Sequence, residues 1–172
     1  MARRRLSIDL EALSEAMEHQ GSDEYDYYLD TVSGRVMRIA TEVWTALEEG
    51  RTIAGSLAGW QQDELRDARE VFADTEGRYT LVPERPDWEL EELMPDFVDS
   101  ITQADLRQRL SSAMDGRNAV RRFKDILAHH PEARQRWLLV QQSYDRDYAT
   151  RWLADEDIEP VWNTPSASPG NA

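Results

Sequence analysis

The chain has 172 residues, a length that suits one domain with a sizeable core and no need of metal or disulfide staples. With 40% hydrophobic and 31% charged residues, and six Trp, six Tyr and three Phe, it is polar but carries enough large apolar surface to fold. It has no cysteine, which excludes disulfides, thiol catalysis and thiolate metal sites, and its net charge of −14 lowers the expectation of direct nucleic-acid binding, since such a chain repels phosphates.

The N-terminus, MARRRLSIDLEALSEAMEH, is basic at first, but Asp9, Glu11 and Glu15 interrupt the apolar run that a secretory leader needs. No apolar run approaches membrane-spanning length, so the expectation is a soluble cytoplasmic protein with no membrane partner. Ser7 is a suitable cap for a first helix to about His19, with Leu6, Leu10, Leu13 and Met17 on one face and Gly21 as the stop. Next comes YDYYLDTVSGRVMRI, in which Tyr25, Tyr27 and Leu29 alternate with Asp26, Tyr28 and Asp30. That period of two predicts a hairpin over 25–39, acids toward water, with Gly34 left-handed in the turn.

Thr41 to Glu49 reads as a short helix before Gly50, and RTIAGSLAG (51–59) as a connector. A second amphipathic helix is expected from about Gln61 to Asp74, with Leu65, Ala68 and Phe72 inward. The third strand is expected at 79–83, where Pro83 must end it or place it at an edge. From Glu84 to Asp105 there are eight acids against Arg85 alone. Pro95 suits the first turn of a helix whose inward residues are Met94, Phe97, Val98 and Ile101. Thr102–Asp105 resembles a capping box opening the next helix, with Leu106, Leu110, Ala113 and Met114 on its face.

Asp115-Gly116 ends that helix, and a short turn makes the next one double back, with Val120, Phe123 and Leu127 inward. Pro131 restarts the chain as a long helix striped by Ala133, Trp137, Val140, Tyr144, Tyr148 and Trp152. The last residues, 163–172, are small, polar and proline-containing and read as a disordered tail. The fold class is therefore α+β: a small three-stranded antiparallel sheet with a predominantly helical body and a mostly helical C-terminal half. Residues 1–162 form a single domain with a helical bundle at 95–155.

GRNAVRRFKD at 116–125 resembles a bacterial family, the UPF-type uncharacterised family zero-one-five-eight. YYLDTVSGRV, YTLVP, MPDF, PEARQRW and YATRWLADEDIEP fit the same pattern in order, so the resemblance runs from about Tyr25 to Pro160. The family usually has a second Gly and a Phe where this chain has Asn118 and Val120. Asn tolerates left-handed backbone, so the turn survives the first change. The second leaves volume for neighbours to refill. The resemblance implies no established activity.

No catalytic residue, metal site or cofactor is assigned. His129 and His130 are adjacent rather than one helical turn apart, no nucleophile elbow is present, and Gly116–Lys124 lacks the phosphate-loop pattern. The acid pairs show no arrangement that would split their pKa values, and read as solvated faces. What remains is a basic corner for an anion or partner: Gly116, Arg117, Arg121, Arg122 and Lys124 at the start of a helix, with Trp137 as a stacking face if exposed. The bland alternative pairs these arginines with nearby acids, for instance Arg121 with Asp125.

Three functions are compatible with this. The first is a cytoplasmic interaction or regulatory protein without catalysis, taking a basic protein partner through Glu84–Asp105. The second is an enzyme or sensor binding a phosphorylated small molecule at the basic corner. The third is an acidic mimic of nucleic acid. Oligomeric state is not readable from the sequence.

Overall fold

A computed structural model describes residues 2–50 and 59–163. It divides into two compact units, one drawn from Met1–Arg85 and Ala149–Ala172, the other Pro86–Tyr148. The fold is α+β, with most of the C-terminal half helical.

In the first unit, β1 (Arg4–Asp9) pairs in parallel with β5 (Ile158–Asn163), Leu6 opposite Pro160. Both strands were missed by the expectations above. Leu6 and Ile8 are buried and alternate with exposed Arg5, Ser7 and Asp9, a period of two that places Leu6 on a strand rather than a helix. The helix α1 starts later, at Leu10–His19, and Asp9, not Ser7, caps it by accepting from the Ala12 N–H at 3.1 Å. Its Leu10, Leu13, Ala16 and Met17 are buried, and the Gln20 side chain then accepts from the Tyr27 N–H at 2.8 Å.

The antiparallel sheet has the order β3–β2–β4, with β2 Tyr25–Asp30, β3 Val36–Ala40 and β4 Tyr79–Leu81. The hairpin register sets Tyr25 opposite Ala40 and Leu29 opposite Val36. Gly34 is left-handed at φ +79°, as the turn requires, and packs against the Ser7 carbonyl of β1. Asp30 departs from the expected water-facing acid, because it is 5% exposed. Its carboxylate accepts from the Val32 N–H (2.9 Å), Ser33 Oγ (2.7 Å) and both Nε and Nη2 of Arg78 (2.9 and 2.7 Å). The Arg78 guanidinium, helped by Ser33 and Val32, holds that carboxyl well below the usual carboxylate range. The pair latches the hairpin turn to the entry of β4.

The helices α2 (Thr41–Glu48) and α3 (Gly59–Phe72) cover the sheet with Val43, Leu65 and Ala68 against Ile39 and Ala40. Two α3 acids are buried where apolar residues would be the default. Glu64 accepts from the Ala40 N–H at 2.5 Å, and Asp67 pairs with Arg35 through contacts of 2.9 and 2.5 Å. Phe72, expected inward, is 53% exposed at the last position of α3 and makes an edge-to-face contact with Trp44. The strand β4 stops at Leu81, two residues before Pro83. The expected connector, 51–59, lies outside the described residues except for its last residue, and so does the expected tail beyond Asn163.

The second unit is helical: α4 (Asp87–Glu91), α5 (Met94–Asp99), α6 (Ala104–Ala113), α7 (Ala119–Leu127) and the first part of α8 (Pro131–Asp155). Pro95 sits in the first turn of α5, where its missing N–H costs nothing. The expected capping box at Thr102–Asp105 does not form, because Gln103 is the α6 N-cap and no side chain caps that end. Phe97, Phe123 and Trp137 make an edge-to-face triad with centroids 4.9–5.9 Å apart. Leu106, Leu110, Val120 and Leu127 close around it, so the helices converge on one aromatic centre. Along α8 the inward stripe is less apolar than expected, since Gln141 and Asp145 are buried beside it.

Candidate functional site

The turn Asp115–Asn118 reverses the chain with two left-handed residues, Gly116 at φ +86° and Asn118 at φ +60°. Asn118 is the N-cap of α7, and its side chain makes no capping hydrogen bond. The basic corner then splits into three parts. Arg122 turns back on the turn, donating to the carbonyl oxygens of Arg117, Asp115 and Ala113, the last at 3.0 Å. The Ala113 carbonyl belongs to the last turn of α6, so the Arg122 guanidinium caps that helix end and ties it to the Asp115 and Arg117 carbonyls of the turn. Arg117 and Arg121 are exposed, and their side chains make no hydrogen bond or ion pair among the described residues. The expected Arg121–Asp125 pair does not form. Lys124 is half-buried and already engaged. Trp137 is 2% exposed, so it offers no stacking face to a ligand.

The Gly116–Lys124 stretch is thus brought together by one turn, yet only Arg117 and Arg121 present unengaged charge. A groove of about 280 Å³ lies at the opposite end of α7, and none of the five corner residues lines it. His129 and His130 form the α7–α8 link, where their N–H groups donate to the Ile126 and Leu127 carbonyls at 3.2 and 3.0 Å. Among the described residues, no group of three or more His, Asp or Glu is placed to hold a metal ion, and no helix is long and apolar enough to cross a membrane.

A second surface is more distinctive. From Asp87 to Asp105 there are seven acids and no base, and all but Glu89 are exposed. Arg85, the one base that composition placed beside them, is buried with Nη2 4.0 Å from Glu18 and belongs to the first unit. In the first turns of this stretch Trp88 stands 60% exposed, flanked by Asp87, Glu89, Glu91 and Glu92. Its neighbour Leu90 is fully buried and anchors α4 to the helical core. Trp88 is the residue the sequence reading missed. The signal was available: Leu90 supplies the inward face of this short helix, and Trp88, two residues before it, falls on the other side.

Comparison with known proteins identifies the relatives but no activity. The model of the uncharacterised protein family UPF0158 matches residues 3–171. A UPF0158 protein of Pseudomonas aeruginosa is 27% identical over 158 residues, covering 92% of this chain and 88% of the relative. UPF0158 proteins of Chlamydia trachomatis and Chlamydia muridarum are 22% and 21% identical over 144 residues, 83% of this chain. The chain spans only 39% and 38% of those two relatives. No solved structure matches.

Proposed function

The chain belongs to the uncharacterised protein family UPF0158, and we propose that it works as a non-catalytic interaction or regulatory module of the cytoplasm that takes a basic segment of a partner protein on the acidic face around Trp88. The observation that carries this reading is the exposure of Trp88 amid carboxylates. A large ring left in water is an unusual surface choice. Covering it would recover roughly 2–3 kcal/mol at about 25 cal/mol per Å². Trp is a common centre of binding energy in interfaces and gives Lys or Arg a cation–π platform. The surrounding acids would speed encounter with a basic partner and orient it.

The test is binding from lysate followed by affinity with the purified partner, at low and high salt, for the parent and two variants, Trp88→Ala and Glu91→Lys/Glu92→Lys. The reading expects a partner held at low salt, released at high salt, and lost by at least tenfold in each variant. Equal binding by all three proteins at both salts would sink it. A partner that also binds nucleic acid, and is competed off it by this chain, would mark the acidic face as a nucleic-acid mimic.

A second reading rests on Arg117 and Arg121, whose exposed side chains have no partner among the described residues. They would hold a phosphorylated small molecule at the start of α7. A ligand at 100 times its Kd adds about 2.7 kcal/mol of stability, readable by thermal shift. No shift across a phosphometabolite panel, or equal shifts in Arg117→Ala/Arg121→Ala, removes this reading.

A further inference from the structure

We infer that the groove between the start of α6 and the start of α8 is a binding site for a small organic anion, a carboxylate or phosphate with a short apolar body. Its lining includes neither Trp88 nor any residue of the Gly116–Lys124 corner, and it meets the acidic stretch only at Ile101–Gln103, none of which is charged. Its floor is apolar, made by Ile101, Leu106 and Ala133, all of them buried. A floor of this kind in a groove of about 280 Å³ suits a small ligand body rather than a macromolecular segment.

The polar rim fixes the sign of the ligand. Arg136 lies on one wall with its guanidinium held in place: Nη2 donates to Ser100 Oγ at 2.6 Å, and the group rests over the Phe97 ring at 5.6 Å. A tethered arginine loses little further freedom on meeting an anion, and it keeps donors to spare. His129 and His130 add two imidazoles to the same lining as hydrogen-bonding groups.

Thr102 and Gln103 form the remaining edge, where α6 begins. The Gln103 side chain makes no capping hydrogen bond, so the first turn of α6 keeps backbone donors without a helical partner. Glu132 is the one carboxylate in the lining, and it sits in the first turn of α8, where it balances that helix's own positive end. The anion is therefore assigned to the α6–Arg136 side of the groove. There a neutral floor meets a fixed cation.

The experiment is an amide-resolved NMR titration of the full chain with benzoate, phenyl phosphate and uncharged benzyl alcohol. The two anions are expected to shift residues 102–106 and 130–136 saturably, with benzyl alcohol far weaker. Their ratio tells carboxylate from phosphate. Arg136→Gln should weaken anion binding at residues 102–106 and 130–136 about tenfold or more, while Arg109→Gln, an exposed α6 arginine outside the groove, should leave it unchanged. If Arg136→Gln disturbs the fold, Thr102→Glu at the exposed edge should abolish binding by repulsion with the fold intact. Shifts that do not saturate, benzyl alcohol binding as tightly as the anions, or anion binding that survives Thr102→Glu would each overturn the assignment.

Discussion

Replacing Gly34 with alanine tests how the hairpin turn is docked on β1. A Cβ at this position would lie 2.1 Å from the Ser7 carbonyl oxygen, 3.1 Å from its carbon and 3.2 Å from Leu6 Cγ. The clash is with backbone, so no side-chain rotation relieves it, and β1 or the turn must shift. Left-handed backbone costs a residue with a Cβ roughly 1–2 kcal/mol. Forcing extra volume into a packed contact adds about 1–3 kcal/mol. The expected loss is therefore about 2–5 kcal/mol. Gly77 is the internal control, with φ at +75° and nothing within 4 Å of an added Cβ, so Gly77→Ala carries only the conformational part. Urea unfolding of both variants at constant m gives the comparison. Gly34→Ala should be the more destabilising by at least about 1 kcal/mol. Equal losses, within about 0.5 kcal/mol, would refute the packing of the turn against Ser7.

Other predictions concern the charged network and the domain. Arg78→Ala leaves the buried Asp30 carboxylate with only its Val32 and Ser33 donors, and a loss of stability is expected at neutral pH. The folded Asp30 carboxyl titrates below its unfolded value of about 3.8, so its stabilisation is present above roughly pH 4 and lost as the pH falls further. Acid unfolding should accordingly be shallower in Asp30→Asn/Arg78→Ala, and an unchanged acid slope would contradict the latch. Arg122→Ala should cost about 1–2 kcal/mol through the loss of its carbonyl contacts, whereas Arg117→Ala and Arg121→Ala should stay within about 0.5 kcal/mol. Reversed values in a chemical-denaturation series would put the free charge at the wrong arginine. One domain over residues 1–162 predicts a single calorimetric transition whose enthalpy equals the van't Hoff value. Two resolved transitions would separate the units.

The sequence made the local patterns legible. Alternation at Tyr25–Leu29 gave the hairpin, helical spacing gave α6 and α7, and Gly34, Gly116 and Asn118 marked turns that are left-handed in the structure. What it hid was long-range. Leu6 also falls in helical step with Leu10, Leu13 and Met17, and proline is uncommon inside a strand, so the parallel pairing of β1 with β5 was invisible locally. Asp30 looked like a water-facing acid because its partner, Arg78, lies 48 residues away. At the candidate sites the residue types were visible but their employment was not. Arg122 read like its neighbours until its backbone acceptors were placed, and Trp88 was overlooked among the acids that make it notable.

The central claim is that Trp88 is the centre of a protein-binding face. Its most direct test is a photo-crosslinking amino acid at position 88 in living cells, with the same probe at exposed Arg109 as the comparison. Peptide mapping should place the position-88 adduct on a Lys- or Arg-rich segment of one partner, and Glu91→Lys/Glu92→Lys should abolish it. An adduct pattern at position 88 that matches position 109, or that ignores the charge reversal, would contradict the account.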